Sequence, residues 1–325
     1  MVAEQRDLMD AEQREVFRAI ARCPIADEIL NHLLDPKSGN DGLSKEARAC
    51  RDICSYQQNE ISKITEKYGS EYQVEFSKET FHMPEPWNGN LGEAEILFVS
   101  SNPSFDILET TGALAKKKPE ITGSSEEAEV VPKFQSKDWP DDRVEDFFVE
   151  RFSRKQYRNN YWRNILKYAG YILGKTDSVK LIEDEAIKNE IAKKIVITEV
   201  VHCKSPGEEG VEEARSTCFD EHTKKVIDAY LVARSRAGKP GTVVFVGKHS
   251  RDIVCDTSFR DELNKWLEKA SLLFIPGPNG RTWKLPKAPD WKVDKGVLYP
   301  KSKTQNVLKD TDRQELIDDQ RIQHV

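Results

Sequence analysis

Four short apolar runs constrain this chain more than anything else in it. They are AEILFVS (94 to 100), KKIVITEVV (193 to 201), GTVVFVG (241 to 247) and SLLFIPG (271 to 277). Each is rich in β-branched residues and continuous rather than alternating, the pattern of strands covered on both faces. Helical spacing fills the intervals at roughly 142 to 173, 179 to 192, 212 to 236 and 249 to 269. Strands that alternate with helices predict a four-stranded parallel sheet in a three-layer α/β/α sandwich. Upstream, AEQREVFRAIARC and ADEILNHLL place apolar residues three and four apart, so residues 1 to 70 read as an N-terminal helical extension. Residues 71 to 92 read as an extended lead-in. The α/β/α domain then spans 71 to 300, with a polar tail over 301 to 325.

Open parallel sheets bind ligands beyond the carboxyl ends of their strands. Three loops leave such ends here: SSNPSFD after the first run, VHCKSPG after the second and GPNGR after the fourth. The polar stretch from 107 to 140 follows the first of them and has no period, and loops of that length are usually functional or disordered. The net charge of −6 argues against a uniformly basic nucleic-acid binder, but the basic residues are clustered. Residues 151 to 168 carry six Lys or Arg, Arg158 among them, and no acid, with aromatics interleaved. Residues 281 to 303 carry seven Lys or Arg against two Asp. Such patches fit a phosphate backbone and stacked bases, or else the solvated face of an amphipathic helix. No apolar run reaches the length of a membrane span. The charged start, MVAEQRDLMDAEQREV, is unlike a secretion signal, so the reading is cytoplasmic.

The motifs resemble those of the uracil-DNA glycosylase superfamily, over roughly residues 85 to 290. Ser100-Ser101-Asn102-Pro103-Ser104 stands in the frame of that family's first motif, Gly-X-Asn-Pro-Gly. VITEVVHCKSPG (196 to 207) is similar to the segment of the iron–sulfur branches, with Cys203, Pro206 and Gly207 in register. Cys218 follows at about the family's interval. VVFVGKHS resembles the third strand and its Gly turn. FIPGPNGR lies where a His-Pro-Ser loop is usual, so Asn279 stands in that loop and the leaving-group histidine is absent. Glu199 replaces the asparagine that reads uracil.

The resemblance implies a monofunctional DNA glycosylase: a monomer that flips a base from duplex or single-stranded DNA and hydrolyses its N-glycosidic bond. Asn102 would hold the attacking water through its side-chain oxygen, unless it only closes an Asx turn. Asp106 would assist the water or orient a neighbour, or else cap a turn. Phe105 would stack on the base or fill the core. Ser100 and Ser101 are small enough to let base and sugar approach the backbone. Lys204, Arg281, Lys284 and Arg158 are candidate phosphate contacts. An ionised Glu199 only accepts hydrogen bonds, which suits the exocyclic amine of a cytosine-type base better than uracil. A protonated Glu199 would also donate to the departing ring. Free removal of ordinary cytosine would be toxic, so a modified cytosine is expected, such as glucosylated hydroxymethylcytosine in phage DNA, with a role in anti-phage defence. The alternatives are a uracil or mismatch repair glycosylase and a catalytically inactive DNA-binding sensor. Cys50 and Cys54 share a helical face at i and i+4. With Cys203 and Cys218 they supply the thiolate count of a 4Fe-4S cluster or a structural zinc, or they are four buried free thiols.

Overall fold

A computed structural model of the chain describes residues 2–35, 42–64, 66, 75–78, 80–101, 152, 160–175, 180–275, 291–294 and 297–300. Four strands form an all-parallel sheet in the order β2-β1-β3-β4: β1 Ile96–Ser100, β2 Ile195–Glu199, β3 Gly241–Val246 and β4 Ala270–Ile275. These are the four runs of the sequence, each bound lying within two residues of the expected one, with the fourth strand starting one residue early at Ala270. β1 sits in register between β2 and β3, with Ser100 opposite Glu199.

Because successive side chains alternate faces, each strand contributes to two cores. Leu97, Val99, Val196, Val243, Phe245 and Leu272 point to one side. Ile96, Phe98, Ile195, Ile197, Val244 and Val246 point to the other. The second face is covered by α4 (Asn160–Ile172), α5 (Lys180–Glu183) and α6 (Glu185–Ala192), through Ile165, Tyr168, Leu181 and Ile191. The first is covered by α7 (Val211–Cys218), α8 (Lys224–Arg236), α9 (Gly247–Cys255) and α10 (Arg260–Leu267). This is the three-layer α/β/α arrangement that continuous apolar strands require. The N-terminal helices α1 (Val2–Ala21), α2 (Ala26–Leu34) and α3 (Lys45–Ser62) join the same core through Ala21, Ile29, Ala47 and Ile53.

Two of the expected helices are interrupted. The stretch from 249 to 269 breaks at Asp256, whose backbone is extended and whose carboxylate accepts from Ser258 N at 2.9 Å. The stretch from 179 to 192 breaks at Asp184, which caps α6 by accepting from Ala186 N and Ile187 N. Between α7 and α8 a π-helical turn, Phe219–Thr223, carries the chain on without a break. An antiparallel pair that the periodicity did not reveal, β5 (Trp291–Asp294) and β6 (Val297–Pro300), lies beyond the sheet's last strand.

Gly210 fixes the contact between α3 and the loop after β2. Its φ is +76°, and a Cβ there would lie 3.0 Å from the Ile53 Cα. Backbone does not yield as a flexible side-chain tip would. Gly210→Ala is therefore expected to cost about 1–3 kcal/mol, read as a lower urea midpoint with an unchanged slope. A wild-type midpoint would show that α3 is not clamped there.

Candidate active site at the carboxyl ends of the strands

The carboxyl ends of β1, β2 and β3 meet in one place, and the local hydrogen bonds explain why. The ladder between β1 and β2 runs past the strands: Val200 N donates to Ser100 O at 2.8 Å and Val201 N to Ser101 O at 2.9 Å. The π-helical turn brings Thr223 beneath this end, where its hydroxyl donates to Glu199 O at 2.8 Å. On the other side of β1, the first turn of α9 supplies Ser250, whose hydroxyl donates to Val99 O at 2.8 Å. The strand ends are thus satisfied from both flanks, leaving the side chains of Ser100, Ser101 and Glu199 to face one another's neighbourhood.

Glu199 is the last residue of β2 and only 7% exposed. Its carboxyl pKa is raised well above 4.5, chiefly by burial. A hydrogen bond from Ser100 opposes the shift, while the nearby carboxylates of Glu85 and Glu208 reinforce it. Burial thus favours the protonated form of the acid, and its Oε2 has no hydrogen-bond partner among the described residues. A neutral carboxyl both donates and accepts. Acceptor-only reading of a cytosine-type base belongs to an ionised Glu199, whereas burial favours the protonated form, which also donates.

The surroundings are acidic and hydrogen-bonded. The Tyr161 hydroxyl donates to Ser100 Oγ at 2.6 Å, and burial together with Glu199 raises the phenol's pKa well above 10. Ser101 donates to Glu208 Oε1 in a very short contact. Glu208 has φ +66°, the only non-glycine in that region among the described residues. Its Oε2 lies 3.9 Å from His249 Nε2. Lys204 was expected to meet phosphate, but it is 6% exposed and its ammonium sits 2.6 Å from Glu85 Oε1. A buried ion pair stands where a phosphate contact calls for an exposed cation. Glu85 in turn is held by a bond from Asn88 Nδ2 at 3.3 Å.

Asn102, Phe105, Asp106, Arg158, Asn279, Arg281 and Lys284 lie outside the described residues. Of the expected site residues, the fold brings together Ser100, Ser101 and Glu199. Sequence reasoning missed Glu85, Tyr161 and Glu208. Only Glu208 had a signal, since SPGEEG demands a tight turn directly after a strand end.

The cysteines are gathered beside this region. Cys50 and Cys54 lie buried on α3, and the Cys54 thiol is 3.7 Å from Cys203 Sγ. His202 N donates to Cys218 Sγ at 3.3 Å. The Cys54 hydrogen bond, then burial, raises Cys203, and burial raises Cys50 and Cys218, so these thiols are neutral. Cys23, pushed up to about 12 by burial, lies 3.7 Å from His222 Nε2. The donors suit a soft metal in kind. Among the described residues no group of three or more His, Cys, Asp or Glu is arranged to hold a metal ion as placed.

Burial also lowers the pKa of His202 to about 3 and that of His222 to about 4. Both imidazoles protonate near 6.5 once unfolded. The unfolded chain therefore binds more protons between those values. Their stabilising effect is complete above about pH 6.5 and is lost as pH falls towards 3–4, at up to about 1.4 kcal/mol per pH unit for each imidazole. Urea midpoints should fall from pH 7 to pH 5, and less steeply in His202→Gln. Equal slopes in the two proteins would show that His202 is not held neutral.

Among the described residues no helix is long and apolar enough to cross a membrane. No family model, curated protein or solved structure matches this chain.

Proposed function

We propose that this chain is a DNA glycosylase that flips out a modified cytosine and hydrolyses its N-glycosidic bond. The observation that carries the reading is Glu199: a buried carboxyl with an oxygen unpartnered among the described residues, at a strand end where open parallel sheets bind ligands, in surroundings that favour its protonated form. Cytosine is a poor leaving group as an anion. Its N3 has a lone pair, and a proton delivered there lets the base depart neutral. A neutral carboxyl can accept from the exocyclic amine, donate to N3, and then transfer that proton. Uracil carries a hydrogen on N3 and cannot take a proton at that atom. The preference for a cytosine-type base thus rests on leaving-group chemistry, since either base can be hydrogen-bonded by a neutral acid. The small hydroxyls of Ser100 and Ser101 at the end of β1 suit close approach of base and sugar, and Asn102 follows them directly in the chain as the water-holding residue of this reading. A substituted base in phage DNA, such as glucosylated hydroxymethylcytosine, is the substrate this reading favours, and anti-phage defence the role.

The test uses duplexes with a single glucosylated hydroxymethylcytosine, cytosine or uracil, and scores abasic sites by alkaline strand cleavage. Cleavage of the modified duplex alone is expected. Cleavage of the uracil duplex alone would make the chain a repair glycosylase. Binding to all three without cleavage would favour a sensor.

A further inference from the structure

Hydrolysis needs a group to take a proton from water as well as one to give a proton to the base. We propose that His249 is that general base, with Glu208 as its positioning residue and Nδ1 as the atom that receives the proton. The inference rests on the glycosylase reading and deepens it.

Three observations converge. His249 is 8% exposed, and its Nδ1 has no hydrogen-bond partner among the described residues. Its Nε2 lies 3.9 Å from Glu208 Oε2, too long for a hydrogen bond but within ion-pair distance, and such contacts often tighten only when substrate is bound. Glu208 is held for this by a backbone conformation that non-glycine residues rarely adopt, and by the Ser101 hydroxyl on its other oxygen. A carboxylate on one ring nitrogen places the hydrogen there and leaves the lone pair on the other, the logic by which a carboxylate orients a catalytic imidazole. Strain at Glu208 thus has a use: it spans from the residue before Asn102 to the first turn of α9.

The step balances without any further reactant. The water oxygen bonds to the anomeric carbon. The carbon–nitrogen bond breaks and its electron pair goes to the base. Water's proton goes to His249 Nδ1, and the Glu199 proton goes to the ring of the departing base. Glu208 then faces an imidazolium, and proton exchange with solvent resets both groups.

The charges around His249 set its pH behaviour. Burial lowers its pKa from 6.5, Arg215 and Lys248 act in the same direction, and Glu208 and Asp252 oppose them. Arg215 and Asp252 are themselves paired at 2.7 Å. The base must be neutral, so release should lose rate on the acid side, below the ordinary histidine range. Removing the Glu208 charge destabilises the imidazolium and should move that acid limb to lower pH.

The experiment measures single-turnover release from DNA containing glucosylated hydroxymethylcytosine across pH, in the full chain and in His249→Gln and Glu208→Gln. His249→Gln is expected to lose on the order of 10²–10⁴-fold in rate, together with the acid limb. Glu208→Gln is expected to lose rate and shift the limb to lower pH. A wild-type profile in either variant, or a fall in rate with the limb unmoved, overturns the inference while the glycosylase reading stands. A wild-type chain that releases no base overturns both. Should a variant fail to fold, ¹⁵N imidazole shifts of the wild-type chain decide: hydrogen on Nε2 in the neutral ring supports the proposal, and hydrogen on Nδ1 overturns it.

Discussion

Glu199→Gln is expected to bind DNA containing a modified cytosine about as tightly as the wild-type chain and to release the base roughly 10²–10⁴ times more slowly. The amide keeps the shape of the carboxyl and both kinds of hydrogen bond. It cannot hand over a proton. The two roles assigned to Glu199, reading the base and protonating it, therefore separate in this one variant. Binding affinity reports the first and single-turnover release reports the second. If the base were uracil, the amide would be the better reader and release would hold or improve. A large loss of binding with unchanged turnover of the bound complex would make Glu199 a recognition residue and no acid.

Lys204→Met should be the most damaging substitution for stability. Lys204 and Glu85 are 6% and 8% exposed and 2.6 Å apart. Removing the cation leaves the Glu85 carboxylate buried and unpaired by it, a loss of about 3–5 kcal/mol. Glu85→Gln combined with Lys204→Met removes both charges and should recover much of it, because the stranded charge causes most of the cost. Urea unfolding of the two single variants and the double variant gives the coupling. Additive losses would mean that the two groups do not act as a pair. The pair also bears on the site, because the Glu85 carboxylate is among the charges that raise the Glu199 pKa. In Glu85→Gln the Glu199 carboxyl should therefore titrate at lower pH than in the wild-type chain.

The sheet was legible because its signal is local. Ile96 to Val99, Val196, Ile197 and Val243 to Val246 each declare a strand covered on both sides, and both faces are covered. The helix breaks at Asp184 and Asp256 were written in the sequence too, as short polar side chains able to cap, but a period of 3.6 runs over them without a visible gap. The site was half legible. Ser100, Ser101 and Glu199 follow directly from the strand-end rule. Glu85 and Tyr161 come from segments whose approach depends on tertiary packing: the lead-in bonds to the loop after β2, with Glu85 N donating to His202 O at 2.8 Å. Lys204 shows the same limit. A lysine after a strand end reads as a phosphate contact until an acid 119 positions earlier is brought against it. A protonated Glu199 was one of two forms the sequence left open, and the choice between them depends on burial and on two carboxylates that the fold delivers from elsewhere.

The most direct test of the whole account is the identity of the base set free. Intact DNA carrying glucosylated hydroxymethylcytosine, mixed with unmodified and uracil-containing DNA, is incubated with the wild-type chain and with Asn102→Ala, and the small molecules are identified by mass spectrometry. The glucosylated base alone is expected from the wild-type chain, and none from Asn102→Ala. Uracil in its place, or no base from any of the DNAs, would contradict it.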